Sequence, residues 1–310
     1  MIDLEKSVTQ QIESTFLQER GIELFIKRDD LLHPEISGNK WRKLKFNLDK
    51  CVHQKNSGIL TFGGAYSNHL VAAASACASV GLKSIGIVRG EELNSKSNGT
   101  LARCEEYGME LQFISREEYS LRNERYYHEE LLLESSNFLV VPEGGANYLG
   151  MIGCQELISE IDGDFDSIFV AQGTTTTSCG LALGLDEDQK MYVVPALKGF
   201  NSFEEMNALL NKAALSQEAI DQIENQIVVC DQYHFGGYGK CTQELLEFIH
   251  DFHTNHTIKL DPVYTGKAMY ALMDLAKSGT LDNQKIIFIH TGGIQGSQSI
   301  IDKTGFNFYS

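Results

Sequence analysis

The segment Ser37-Gly38-Asn39-Lys40-Trp41-Arg42-Lys43 places a lysine in the first turn of a predicted helix. Trp41, Leu44 and Leu48 follow at i, i+3, i+7 spacing and form one apolar stripe, so the helix begins at Asn39. The amino end of a helix carries the positive end of the backbone dipole, which disfavours an ammonium there by about 0.3–1 kcal/mol. What the position favours is the neutral amine of Lys40, a nucleophile able to condense with an aldehyde. Lys43 and Lys45 lie deeper in the helix, outside that bias, and read as a solvated face.

A second group is Ala171-Gln172-Gly173-Thr174-Thr175-Thr176-Thr177-Ser178-Cys179-Gly180. A strand, a glycine and a run of hydroxyls entering a helix bring backbone N–H groups together at a helix amino terminus, an anion site suited to a phosphate monoester. No Gly-Lys-Ser/Thr follows, so this is not a P-loop, and the G-x-G-x-x-G dinucleotide pattern is absent. The same residues would also serve as a threonine-rich helix cap and nothing more.

Ser67, Asn68 and His69 follow the Gly63-Gly64 turn, three different polar groups where a cap needs one. Neighbours on one helix point about 100° apart and do not face each other, which argues against a Ser–His nucleophile pair. Tyr238 and Tyr264 stand beside glycines, in Gly236-Gly237-Tyr238-Gly239 and Tyr264-Thr265-Gly266-Lys267, and are equally readable as structural or catalytic. His33, His234 and His290 are scattered singly, without ligand spacing, and no metal site is expected.

The elements that must position these residues are short apolar runs: 58–62, 84–88, 138–141, 167–171, 192–194, 227–229 and 286–289. Each is nearly continuous rather than alternating, as strands buried on both faces of a parallel sheet require. Helix-like stretches over 70–80, 97–107, 150–161 and 267–278 lie between them, so the fold class is α/β. In such sheets ligands bind beyond the carboxyl ends of strands. The Gly63, Gly144 and Gly173 junctions are those places.

With 310 residues, 42 acidic and 26 basic side chains and a formal charge of −16, the chain repels nucleic acid and anionic membranes. Its seven cysteines are odd in number and form no C-x-x-C pair, which suits buried thiols of a reducing compartment. No signal-like amino terminus and no long apolar run is seen, so a soluble cytoplasmic protein without membrane or nucleic-acid partners is expected.

Taken together, these motifs resemble those of the fold type II (tryptophan synthase β-like) enzymes that use pyridoxal 5′-phosphate, in the branch of D-cysteine desulfhydrase and 1-aminocyclopropane-1-carboxylate (ACC) deaminase. The residues that carry the resemblance are Lys27-Arg28-Asp29-Asp30, Gly38-Asn39-Lys40, Ser67-Asn68-His69, Pro142-Glu143-Gly144-Gly145, the Gly173 loop, Asp261-Pro262-Val263-Tyr264 and Thr291-Gly292-Gly293. It implies that Lys40 holds the cofactor covalently and moves protons, that Asn68 meets its phenolic oxygen, and that Gly173 and Thr174, Thr175, Thr176 and Thr177 hold its phosphate. Ser67 would lie next to the substrate carboxylate, and Tyr238 and Tyr264 would face the substrate.

Thr265 would stand against the pyridine nitrogen, where ACC deaminases have a glutamate. A hydroxyl there leaves the ring largely neutral and the electron sink weaker. The implied architecture is two open twisted, mostly parallel sheets covered by helices, with a small domain (47–150) inserted in a large one (1–46 and 151–310). The chain would be a homodimer. The activity expected is β-elimination from a small amino acid, giving a 2-oxo acid and ammonia as in D-cysteine desulfhydrase. Ring opening of ACC, dehydration of D-serine and a non-catalytic cofactor-binding protein are the alternatives.

Overall fold

Alternation along each strand explains why the apolar runs are continuous. In Ile168-Phe169-Val170-Ala171, Phe169 and Ala171 enter one core while Ile168 and Val170 enter another. Ile286 and Phe288 likewise part from Ile287 and Ile289. A strand whose two faces are both covered needs apolar residues at every position.

The computed structural model describes residues 2–36 and 38–310, so Ser37 of the opening segment lies outside the described residues. Strands are β1 (Thr9–Ile12), β2 (Glu23–Lys27), β3 (Gly58–Gly64), β4 (Lys83–Arg89), β5 (Met109–Ile114), β6 (Phe138–Val141), β7 (Ser167–Gln172), β8 (Lys190–Pro195), β9 (Ile227–Val229) and β10 (Lys285–Ile289). The helices of the first half are α1 (Thr15–Glu19), α2 (Asn39–His53), α3 (Asn68–Ser79), α4 (Gly99–Glu106), α5 (Arg116–Ser120), α6 (Arg125–Glu134) and α7 (Tyr148–Ser159). Those of the second half are α8 (Thr176–Ala182), α9 (Ser202–Lys212), α10 (Gln217–Gln226), α11 (Gln243–His256), α12 (Thr265–Lys277) and α13 (Ser297–Thr304).

Two sheets result. One has six strands in the order β1-β2-β10-β7-β8-β9, the other four in the order β5-β4-β3-β6. All pairings are parallel except β1 with β2 at the edge. The strands absent from the sequence reading are β1, β2 and β5. Thr9-Gln10-Gln11-Ile12 has no apolar run, and Met109-Glu110-Leu111-Gln112 alternates because an edge strand is half covered.

Helix α2 links the two sheets, packing on α3 on one side and α7 on the other. Its approach to α7 is close: a Cβ added to Gly153 would lie 1.9 Å from the Arg42 carbonyl oxygen. Only glycine permits that contact, and it brings α2, α7 and α8 together beneath the carboxyl end of β7. No helix among the described residues is long and apolar enough to cross a membrane.

Candidate active site

The amino end of α2 is built around Gly38, whose φ of 57° and ψ of −136° turn the chain into the helix. Its N–H donates to the Asp29 carbonyl (2.9 Å), and a Cβ there would strike the Thr291 carbonyl oxygen at 2.1 Å. Lys40 therefore starts the helix, half-buried, and its ammonium donates to Asn39 Oδ1 at 2.7 Å. Burial, and next the charge of Lys43, push the Lys40 amine down to about 7. It is far more nucleophilic at neutral pH than an ordinary lysine.

Lys43 corrects the sequence reading. It is 2% exposed rather than solvated, and its Nζ donates to Thr174 Oγ1 at 3.2 Å. Burial lowers its pKa as well. Among the described residues neither Lys40 nor Lys43 has a carboxylate within ion-pair distance. The missed signal was the spacing: three residues beyond Lys40 is the same face of the helix. Lys45, also expected in solvent, is half-buried against Glu156.

The threonine run lies where β7 ends. Gln172 Nε2 donates to Ser178 Oγ (2.8 Å), Ser178 Oγ donates to the Thr175 carbonyl (2.9 Å), and Ser202 Oγ donates to Gln172 Oε1 (2.5 Å), which ties the loop down. The four threonines then part. Thr174 is exposed beside Lys43, and Thr177 Oγ1 accepts from Asn39 Nδ2 at 3.2 Å. Thr176 is fully buried with its hydroxyl unpartnered among the described residues. Thr175 departs from expectation: its hydroxyl donates to the Glu205 carbonyl (3.3 Å) and points away, leaving only its backbone for a ligand. Gly144 covers Thr174, Gly145 covers the stem of Lys43, and Gly173 lies under the Tyr264 ring.

At α3, Ser67 is the cap, its Oγ accepting from the Leu70 N–H at 3.3 Å while keeping its own proton to donate. Asn68 is half-buried in the first turn. His69 is buried. Thr61 Oγ1 gives its proton to the Val141 carbonyl (2.8 Å), so His69 Nε2–H is the donor to Thr61 Oγ1 (2.9 Å). Burial first, then Lys40 and Lys43, push this imidazole down to about 3, so it stays neutral.

At the start of α12 the Asp261 carboxylate accepts from the N–H groups of Val263, Tyr264 and Thr265 at 2.9–3.0 Å. Thr265 again corrects expectation. Its hydroxyl donates to Asp261 Oδ1 (2.7 Å) and accepts from the Asp261 N–H (2.8 Å), so its single proton is not offered to a ligand. Tyr264 meets Tyr238 edge to face, ring centroids 6.1 Å apart at 69°. Burial, then Tyr238, raise the Tyr264 phenol well above the usual value, keeping it protonated.

The sequence profile described as pyridoxal-phosphate dependent enzyme matches residues 2–292. The chain belongs to that family. It is 37% identical over 298 residues to a putative ACC deaminase of Pyrococcus horikoshii, covering 92% of this chain and 89% of the relative. A bifunctional D-cysteine desulfhydrase/ACC deaminase of Arabidopsis thaliana is 34% identical, covering 91% of this chain and 75% of that one. A crystal structure of an ACC deaminase homologue superposes with a TM-score of 0.80 at 33% identity, covering 96% of this chain and 92% of the other. The protein is thus a pyridoxal-phosphate enzyme of fold type II. Its residues fit the cofactor: among the described residues the buried ammonium of Lys43 has no acidic partner and the Thr176 hydroxyl has none at all, and Lys40 offers a nucleophilic amine. A phosphate would satisfy the first two groups and an aldehyde the third.

Proposed function

We propose that this enzyme carries out β-elimination on a small amino acid, releasing a 2-oxo acid and ammonia in the manner of a D-cysteine desulfhydrase. The observation that carries the reading is the pair of unneutralised amines on one face of α2, Lys40 with a pKa of about 7 and Lys43 one turn on. Lys43, the backbone of Gly173 and Thr175, and the hydroxyls of Thr174, Thr176 and Thr177 hold the phosphate. Asn68 meets the phenolic oxygen. When bound, pyridoxal phosphate supplies a conjugated ring that takes up the electron pair released at the substrate's α-carbon.

The protein's part is to bind and to move protons. Ser67 Oγ–H donates to the substrate carboxylate at the amino end of α3, where the dipole also favours an anion. Lys40 Nζ, neutral near pH 7, takes the α-proton. Tyr264, kept protonated by burial and by Tyr238, donates to the leaving group in this reading. Thr265, committed to Asp261, does not protonate the ring nitrogen, which supports loss of a good β leaving group over ring opening.

ACC deaminase activity is the second reading, favoured by the names of the relatives described above. The test is keto-acid production by purified enzyme. Pyruvate from D-cysteine or β-chloro-D-alanine supports the first reading, and 2-oxobutyrate from ACC without pyruvate from either overturns it. We read residues 47–150, which hold the four-stranded sheet, as the small domain, with 1–46 and 151–310 as the large one. The enzyme is read as a cytoplasmic homodimer, checked by light scattering and by fractionation.

A further inference from the structure

Lys267 stands three residues beyond Tyr264 in α12 and is fully buried. Its ammonium donates to three backbone carbonyls: His234 at 2.8 Å, Gly237 at 2.9 Å and Ala196 at 3.4 Å. Three donors meet three acceptors, and among the described residues no carboxylate lies within ion-pair distance. Burying a cation without an anion is costly, and burial already draws this amine down to about 8. The converging carbonyl dipoles retain it, helped by the Asp261 carboxylate from beyond ion-pair distance.

Those carbonyls come from two places. Ala196 follows β8, whereas His234 and Gly237 belong to the segment that carries Tyr238 between β9 and α11. Its start is fixed to α12 by the Tyr233 hydroxyl on Asp274 (2.7 Å) and by the Phe235 ring edge to face on Tyr270, but the glycine-rich stretch beyond Phe235 has little else to hold it. Phe235, Gly236, Gly237 and Gly239 all have positive φ (50°, 93°, 112° and 64°), and Tyr238 itself is 55% exposed. Its internal bonds are short-range: Gly237 N–H to His234 O (3.0 Å) and Lys240 N–H to Gly237 O (3.1 Å).

We propose that Lys267 is a positioning residue, a resident cation that binds the carbonyls of His234 and Gly237 to α12 and so sets Tyr238 against Tyr264. Its effect on turnover rests on the proposed substrate-facing role of the two tyrosines, but its effect on the segment does not. Without the ammonium, three carbonyl oxygens face one another with no donor between them, and the segment opens.

The test uses the holoenzyme and trypsin, with exposed Lys240 in the same segment as the reporter. In Lys267→Met, which keeps an apolar stem inside α12, cleavage after Lys240 is expected to be about tenfold faster or more, from loss of charged hydrogen bonds. In Lys267→Ala, ammonium or methylammonium chloride should slow that cleavage where sodium chloride at equal ionic strength does not, and neither salt should change the wild type. The KM for the amino acid should rise in step with that of Tyr238→Phe. A folded Lys267→Met cut at the wild-type rate overturns the proposal. Should that variant fail to fold, Lys267→Ala without added ammonium is read by the same cut, and a wild-type rate there also overturns it. Opening of the segment with unaltered kcat and KM supports the clamp and removes Tyr238 from the substrate site.

Discussion

Four cations lie in the first two turns of α2, and they belong to two opposed regions. Lys40 and Lys43 share one face, Arg42 and Lys45 another, offset by two residues or about 200° around the helix. Arg42 is 1% exposed and grips both oxygens of Asp29 (2.9 and 3.0 Å) and both of Glu160. Burial would lower its pKa, but those bonds raise it further, and the guanidinium is permanently charged. Ser7 donates to the same Asp29, and Lys27 donates to the carbonyls of Ser7 and Glu160. Among the described residues the first face meets only neutral oxygens. A cation matched to acids of its own chain fastens helix to helix; a buried cation with neither an acid nor, as at Lys267, a full set of carbonyls is set for an outside anion, or gives up its proton.

That contrast can be broken in several ways. The largest effect belongs to Lys40→Ala, which should lower turnover by about 10²–10⁴-fold and abolish borohydride-dependent fixation of the cofactor. Unchanged turnover would remove Lys40 from the chemistry. On the opposite face, Arg42→Met should lower the unfolding free energy by about 3–5 kcal/mol, since it strands the buried Asp29. Urea denaturation at constant m-value reads this, and a neutral result would deny the fastening role.

Lys43→Met should do the reverse of Arg42→Met. The apo protein should keep or gain stability, while affinity for the cofactor, read by absorbance titration, should fall about 10–100-fold, one charge-assisted contact's worth. A stability loss equal to that of Arg42→Met would erase the distinction between the faces.

The mildest test is pH. The Lys40 amine is at about 7 in the fold and 10.5 in the unfolded chain. Its capture of the aldehyde should rise through pH 7 and level above it, as stopped-flow absorbance would show. Removing the like charge in Lys43→Met should move that midpoint upward. Between pH 7 and 10.5 the unfolded chain holds the proton that the fold has lost, so the Lys40 contribution makes the apo protein more stable as pH rises there. Its cost is full below pH 7. A melting temperature that falls across that window in wild type but not in Lys40→Met would contradict the shift.

Much of the scaffold is legible in the residue order. Doubly covered strands announce themselves as continuous apolar runs, and seven of the ten were visible that way. The edge strands β1 and β5, half in water, carried no such mark. At the site, Lys40 was legible because a lysine in a first turn opposes the helix dipole. Thr175 and Thr265 read as ligand groups because hydroxyl direction is not written in residue order; one faces α9 and the other Asp261.

Residue order alone determined the α/β class, the start of α2 and the odd lysine in it, since periodicity, dipole and strand burial act over a few neighbours. Tertiary structure alone decided which cations would find acids. Asp29, Glu160 and Thr174 lie 13, 118 and 131 residues from Arg42 and Lys43 along the chain. Only packing of α2 against α7, the β7 loop and the turn that follows β2 brings them within bonding distance, and with them the burial that draws the Lys40 amine down to about 7.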